Sequence, residues 1–488
     1  MSKHIIIIGA GISGLTAGIY AKRSGFDVTI VEQHSIAGGM CTSWRRNGYL
    51  FEGAIHWLTG SSPKTKVYQI WEDTGALSKD VPVLLHDPFR SIEWEGQLIH
   101  LYRDIDKTVS RLIALSPGDA KLLRRLAKDV KAVTKMTMPV FDLRGVKMKN
   151  PKPLGFGYMF KMLPAMPAMI KYGKISCAQF VSAFKHPAVR RLFSMLPGDY
   201  AATAIVSTLA TLHSGDGGYP ENGSLSMVHR MAKTFTGLGG KLMFNTHVEK
   251  VTVKDGRATG ISAQSGAIDA DAVIVTQETI AALDKLFDEQ PGDEWLKTLR
   301  ENTTPAVCTF VSIGVRAELP DNMIPEWELE TPITFAGQTL RELSFNSYRR
   351  YAPKGGTALT TAFMTDTYDF WKKAKDEGRY EAEKQALSEQ IVSALCRKYP
   401  QCGGKIEVVD IATPLTYERY TGAYRGSWMG VMKPGARAGL MYPGYCENIS
   451  GLYFAGHRMM PPGGLPVALT SGRAAAQLVC RQFDTEFK

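Results

Sequence analysis

Residues 4–32, HIIIIGAGISGLTAGIYAKRSGFDVTIVE, decide how this chain folds at its N-terminus. Ile5 to Ile8 form a short apolar run of the kind that makes a buried parallel strand. Glycines follow at 9, 11 and 14, and then Ile12, Leu15 and Ile19 recur at helical spacing with small residues between them. A second strand, Asp27 to Val31, ends in Glu32. This is a βαβ unit with a dinucleotide fingerprint. Gly9 supplies the tight turn, Gly11 lets the backbone approach a pyrophosphate, and Gly14 lets the helix pack closely. The helix N-terminus, with unpaired N–H groups and a positive dipole end, faces the phosphates. Glu32 stands 18 residues after Gly14, where an acid accepts hydrogen bonds from a ribose and repels a 2′-phosphate. The spacing itself leaves open which dinucleotide binds.

The 488 residues suffice for two or three domains, and 44% hydrophobic with 22% charged residues is ordinary for a globular protein. The opening apolar run is too short for a signal peptide, and no run of eighteen apolar residues predicts a membrane span. Seven scattered cysteines without a CxxC pattern fit free thiols in a reducing, cytoplasmic compartment. The ten histidines form no compact metal motif, so no metal is expected. A net charge of +11 needs a partner or a reason. No nucleic-acid motif and no block of five basic residues is present, so nucleic acid is not expected. Residues 131–174 carry nine Lys or Arg against one acid, Asp142, and seven of the twenty methionines, with Phe141, Phe156, Tyr158, Phe160 and Leu163 among them. Such a segment either meets an anionic membrane surface or packs on itself as a Met-rich helical subdomain. Pro151, Pro153, Pro164 and Pro167 divide it into short pieces.

In the middle, residues 215–223 read as a loop, Ser224–Phe235 as a helix and Lys241–Phe244 as a strand. Asp255-Gly256 turns a hairpin between 247–253 and 258–263, and Ala272–Thr276 reads as another buried strand. Near the C-terminus Leu452–Ala455 reads as a strand, 459–464 as a glycine- and proline-rich loop, and Leu465–Gln482 as a helix rich in small residues.

The opening unit resembles the N-terminus of glutathione-reductase-type FAD flavoproteins. QHSIAGGMCTSW (33–44) resembles their second glycine loop, and LYFAGHRMMPPGGLPVALTSGRAAA (452–476) their terminal flavin-binding segment. Within that superfamily the chain resembles the phytoene desaturase family, in particular its carotenoid isomerase and retinol saturase branch. FEGAIHW (51–57) carries that likeness, together with Tyr219-Pro220, Thr413-Pro414 through Arg419-Tyr420, and Pro461 through Pro466.

The resemblance implies FAD as cofactor and an α/β fold. A Rossmann-like FAD-binding domain would join a mixed-sheet substrate domain and a helical subdomain. Its expected boundaries are 1–75, 215–285 and 448–488 for FAD, 76–105 and 286–447 for substrate, and 106–214 for a helical lid or membrane-facing part. Cofactor contacts are implied at Gly9, Gly11, Gly14, Glu32, Gly38, Gly39, Met40, Val248, Gly456, Gly463, Gly464 and Leu465. Met40 departs from the Arg or Lys of many relatives. His457 stands where amine oxidases usually carry an acid. His56 is placed beside the flavin ring, as a catalytic group or a buried structural histidine. Trp57, Tyr219, Arg419 and Tyr420 are implied at the substrate, or else serve as core and surface packing.

The function implied is oxidoreduction at carbon–carbon bonds of an apolar polyene, isoprenoid or lipid-like substrate, by hydride transfer at flavin N5. Desaturation, saturation and isomerisation are all open, as is the electron partner: a quinone, oxygen or a transiently docked nicotinamide. Two alternatives remain, a flavin amine or amino-acid oxidase, and a non-enzymatic isoprenoid-binding protein of the same fold.

Overall fold

The computed structural model describes residues 2–136, 140–152, 160, 162–436, 441–460 and 463–488. Pro153, Phe156, Tyr158 and Pro461, singled out in the sequence, lie outside them.

A five-stranded parallel sheet is assembled from distant parts of the chain. It comprises β1 (His4–Ile8), β2 (Asp27–Val31), β3 (Lys241–Met243), β4 (Ala272–Val275) and β5 (Leu452–Phe454), in the order β5-β4-β1-β2-β3. Ile6 of β1 stands in register with Thr29 of β2 and Val273 of β4. Both faces are covered, which is why β1 is apolar without alternation. Ile5 and Ile7 pack toward α1 (Ile12–Arg23), α2 (Gly223–Gly237) and α3 (Leu465–Gln482). Ile6 and Ile8 pack against the antiparallel strands Val248–Lys254 and Arg257–Ala263. The turn between those strands places Asp255 and Gly256 both at positive φ, as a two-residue hairpin requires. β4 stops at Val275, one residue short of expectation, and the Thr276 amide and hydroxyl both donate to the Ile8 carbonyl, at 3.0 and 2.8 Å.

A second, seven-stranded mixed sheet runs Ile406–Ala412, Thr309–Val315, Thr357–Phe363, Gln338–Ser347, Asn322–Phe335, Arg90–Trp94 and Gln97–Leu101. Among these neighbours only Asn322–Phe335 and Arg90–Trp94 pair in parallel. The hairpin of Ser43–Arg46 and Tyr49–Glu52 bridges the two sheets. Its Tyr49 ring lies where a Cβ on Gly314 of the second sheet would stand, 2.6 Å away. Helices between Ile105 and His213 build a separate apolar core, in which Leu126, Phe184, Phe193 and Val206 are buried.

Candidate active site

One cavity of about 820 Å³ runs from the ends of the parallel strands to the second sheet and the helical layer. At its first end two glycine loops lie back to back. The Gly38 amide donates to the Ala10 carbonyl at 3.0 Å, and Gly11 bridges Gly38. A Cβ on Gly11 would meet only the Gly38 carbonyl, at 3.8 Å, so it would stand in the cavity itself. Gly14 differs: a Cβ there would lie 1.9 Å from the Gly9 carbonyl, so this glycine closes the turn onto the helix rather than lining the cavity. Glu32 Oε2 accepts the Ala10 amide at 2.8 Å and Oε1 the His34 amide at 3.0 Å, so this carboxylate shapes the loop and presents its remaining lone pairs to the cavity. Gly39, Met40, Val248, Gly456, Gly463, Gly464 and Leu465 line the same space. Ile12 of α1 and Leu465 of α3 bring two helix N-termini to it, each with a positive dipole end. An open groove at Gly11, an acid at the end of β2 and two helix N-termini fit the pyrophosphate, ribose and flavin of FAD.

His56 and Trp57 reach the cavity on a strap, residues 52–62, pinned at both ends by buried carboxylates. At one end Glu52 accepts the amides of Ala54, Ile55 and Ser224 at 3.1, 3.2 and 2.9 Å, and the Tyr219 hydroxyl at 3.1 Å. The Ser224 hydroxyl completes this set of five donors. Burial raises the Glu52 pKa, and these hydrogen bonds oppose the rise. At the other end Asp216 accepts the Gly60 amide at 2.7 Å, the Ser62 amide at 2.9 Å and the Ser61 hydroxyl at 3.2 Å. Between them the Leu58 amide donates to the Gly218 carbonyl at 2.8 Å. The glycine-rich loop 215–223 thus braces the strap.

The His56 ring faces the cavity on one side and hydrogen-bonds through Nδ1 to the Tyr348 hydroxyl on the other. Burial lowers its pKa to about 4, so the imidazole is neutral at pH 7. His457, also on the wall, falls to about 4 through burial and the neighbouring Arg458 charge. Arg458 and Glu278 form a buried ion pair, with the guanidinium also donating to Thr303 and Ser427 at 3.0 and 3.1 Å. Burial would raise the Glu278 pKa, but Arg458, His457 and the amides of Ala281 and Ile280 hold it below the usual range. Cys308 borders the far end, where burial pushes its thiol up to about 12 and leaves it unreactive.

The remaining sequence expectations divide. Trp57 and Tyr420 line the cavity, the Trp57 ring 6.1 Å from that of Phe89. Tyr219 does not: it is buried behind the strap, turned toward Glu52 by its hydroxyl and packed on Tyr348. Arg419 does not either: it is exposed, with its guanidinium 4.6 Å from the Tyr420 ring, because the surface offers water that the cavity does not. No cation replaces Met40 within the glycine loop, but Lys64 and Lys66 stand on the cavity wall. Glu52, Asp216, Tyr348 and the Arg458–Glu278 pair escaped the sequence reading. The signal for the first two was an acid set among glycine and apolar residues, in FEGAI and GDGGY.

The family model for flavin-containing amine oxidoreductases matches residues 12–480. The chain belongs to that family. As a family member it is an FAD-dependent oxidoreductase, and its cradle fits the cofactor. It is similar to the lycopene-forming phytoene desaturase of a Paracoccus species, with 24% identity over 98% of this chain and 97% of that one. It is also similar to prolycopene isomerase 1, chloroplastic, of an Oncidium hybrid cultivar, with 24% identity over 99% of this chain and 84% of that one. Among solved structures, cyclohexylamine oxidase from Brevibacterium oxydans shares the fold: TM-score 0.60 and 14% identity, covering 99% of this chain and 100% of that one.

Proposed function

We propose that this flavoprotein desaturates, saturates or isomerises carbon–carbon bonds of an apolar polyene, isoprenoid or lipid-like substrate. The observation that carries this reading is the state of the carboxylates on the cavity wall. Among the described residues these are Glu32, Asp216 and Glu278, and each is engaged by protein donors. Glu32 lies at the glycine loops, where it faces the dinucleotide, while Asp216 is taken up by the strap amides and Glu278 by Arg458, so no uncommitted carboxylate stands ready for a substrate ammonium. Away from the glycine loops the wall includes Met136, Met169, Leu196, Phe310, Met364 and Val431 beside a few small hydroxyl residues such as Ser207 and Thr208, a mainly apolar lining that suits an apolar chain. The carotenoid desaturases and isomerases to which the chain is similar support the same class.

When bound, FAD supplies a site that accepts or gives hydride at N5. The chain's own residues do the rest. His56 carries a proton at the ring edge that faces the cavity, and Trp57 packs beside it. The strap holds both in place through Glu52 and Asp216, and the apolar wall keeps water from the reacting carbons.

We further propose that the substrate enters from an anionic bilayer. Phe160, Leu163, Met166 and Ile170 are exposed at 68, 57, 37 and 51% of their surface, next in sequence to Met169 on the cavity wall. Lys149, Lys152 and Lys174 are exposed nearby in the chain, so apolar bulk and ammonium groups are both available to a lipid surface. No described helix is long and apolar enough to cross a membrane. The seven cysteines are all free thiols, which supports a cytoplasmic setting.

The test is product analysis after anaerobic incubation of the FAD-loaded protein with phytoene, lycopene and cis-lycopene. A product differing by two hydrogens, or an isomer of unchanged mass, is expected. Unchanged polyenes alongside consumption of a primary amine would overturn the reading.

A further inference from the structure

His56 meets a conflict if it is to handle protons. Its site resists the imidazolium form, so it cannot act by storing an extra proton at neutral pH. It can still donate a hydrogen bond there, provided the neutral ring carries its hydrogen on the nitrogen that faces the cavity. Which nitrogen carries it is set by the partner of the other.

That partner is Tyr348. Its hydroxyl meets Nδ1, and its ring lies behind His56, outside the cavity lining. Burial, and then the Glu52 charge, hold the phenol well above its ordinary pKa, so it keeps its hydrogen. The Thr360 hydroxyl approaches the same phenol but makes no aligned hydrogen bond. Nδ1 is therefore the aligned acceptor for the phenol's hydrogen. The Tyr348 ring is itself fixed, 5.8 Å from that of Tyr219, whose hydroxyl donates to Glu52. Glu52 in turn grips the amides of Ala54 and Ile55, just before His56. Histidine and tyrosine are thus set by one buried anchor.

We propose that Tyr348 is a positioning residue that holds His56 with Nδ1 as acceptor and Nε2–H presented to the cavity as a hydrogen-bond donor. The inference rests on the proposed role of His56 and specifies its chemical form. A ring held in this way orients and polarises a group at the cavity face through its Nε2–H. Tyr348 and His56 both keep their hydrogens, so the imidazole stays neutral throughout.

The test needs no substrate, so its outcome is separate from that of the polyene assay. Nitrogen-15 histidine spectra of the FAD-loaded protein report which ring nitrogen is protonated, with the His56 signals assigned by their loss in His56→Phe. At pH 7 the proton should sit on Nε2, and the ring should stay neutral down to about pH 5, a unit above its pKa of about 4. In Tyr348→Phe, with FAD content retained, the two tautomers should mix, while Tyr219→Phe should leave the preference in place. An Nδ1–H tautomer or an imidazolium in the parent at pH 7 would overturn the proposal, as would an unaltered tautomer in Tyr348→Phe. Should Tyr348→Phe fail to fold, the parent spectrum still decides.

Discussion

The Ser224 amide donates to Glu52 Oε2 at 2.9 Å, joining residues 172 apart in the chain. Through this bond the first turn of α2 is tied to the strand that leads into His56. The strap that carries His56 is therefore tied to the same helix that packs on the parallel sheet.

Removing that anchor should cost stability. Glu52→Ala strands the buried Ser224 amide and Tyr219 hydroxyl and the half-buried Ala54 amide, while the Ile55 amide keeps the Ser224 hydroxyl oxygen at 3.1 Å. A loss of at least about 3 kcal/mol is expected, since each buried unsatisfied group costs ~1–3 kcal/mol. Thermal melts should show a clear fall in the midpoint and weaker FAD retention. A parent-like melt would mean the strap is held by packing alone.

Glu32→Ala should weaken FAD by about 1–3 kcal/mol, or roughly 5- to 150-fold in Kd, from the lost acceptor for a ribose and the loosened Ala10 and His34 amides. Fluorescence titration of the apoprotein with FAD measures it. Full flavin content with parent-like affinity would remove Glu32 from the cradle.

Acid should destabilise the protein over a window set by two half-buried histidines. His56 and His457 each have a pKa lowered from 6.5 to about 4, burial being the main cause. Between those values the unfolded chain binds protons that the folded one refuses, so stability is full above pH 6.5 and falls as pH drops toward 4. Each contributes a loss of about 3 kcal/mol across the window, at ~1.4 kcal/mol per pH unit. Asp142 adds a later loss. Burial would raise its pKa, but the Lys152 amide, Arg473 and Gln477 hold it below the usual range, so its contribution goes only as pH falls through that lowered value. Urea titrations at pH 7 and pH 5 should show the slope, and His56→Phe should remove about half of the histidine part. Stability constant from pH 7 to pH 5 would contradict the neutral state of both rings.

Much of this architecture was legible because it repeats a local rule. Ile5 to Ile8 are apolar without alternation because both faces of β1 are covered, and the hairpin at Asp255-Gly256 needs only two residues at positive φ. Glu32 and the glycines were legible because a dinucleotide imposes its spacing on one short stretch. Glu52 and Asp216 were not, since Tyr219 and Ser224 reach Glu52, and Gly60 to Ser62 reach Asp216, across more than 150 residues, and no local pattern shows that convergence. Tyr219 looked like a channel residue, but its hydroxyl was drawn inward by Glu52. Arg419 turned to solvent, where a guanidinium keeps its hydration.

Binding to a bilayer should be electrostatic in onset and apolar in grip. The protein should bind vesicles containing anionic lipid, release as salt rises from about 0.1 to 1 M, and ignore neutral vesicles. Phe160→Ser with Ile170→Ser should weaken binding at fixed salt, as both side chains are exposed. Sedimentation with vesicles reads this out, and equal binding by parent and double variant would detach that face from the membrane.

The most direct test of the central claim follows the flavin itself. The FAD-loaded protein is mixed anaerobically, in oxidised and in photoreduced form, with phytoene, with lycopene and with cyclohexylamine, while flavin absorbance is recorded. The account predicts that a polyene changes the flavin spectrum or is isomerised in its presence, that cyclohexylamine does neither, and that His56→Phe slows the polyene reaction at least ~100-fold with flavin still bound. Rapid flavin reduction by the amine, with every polyene silent, would contradict it.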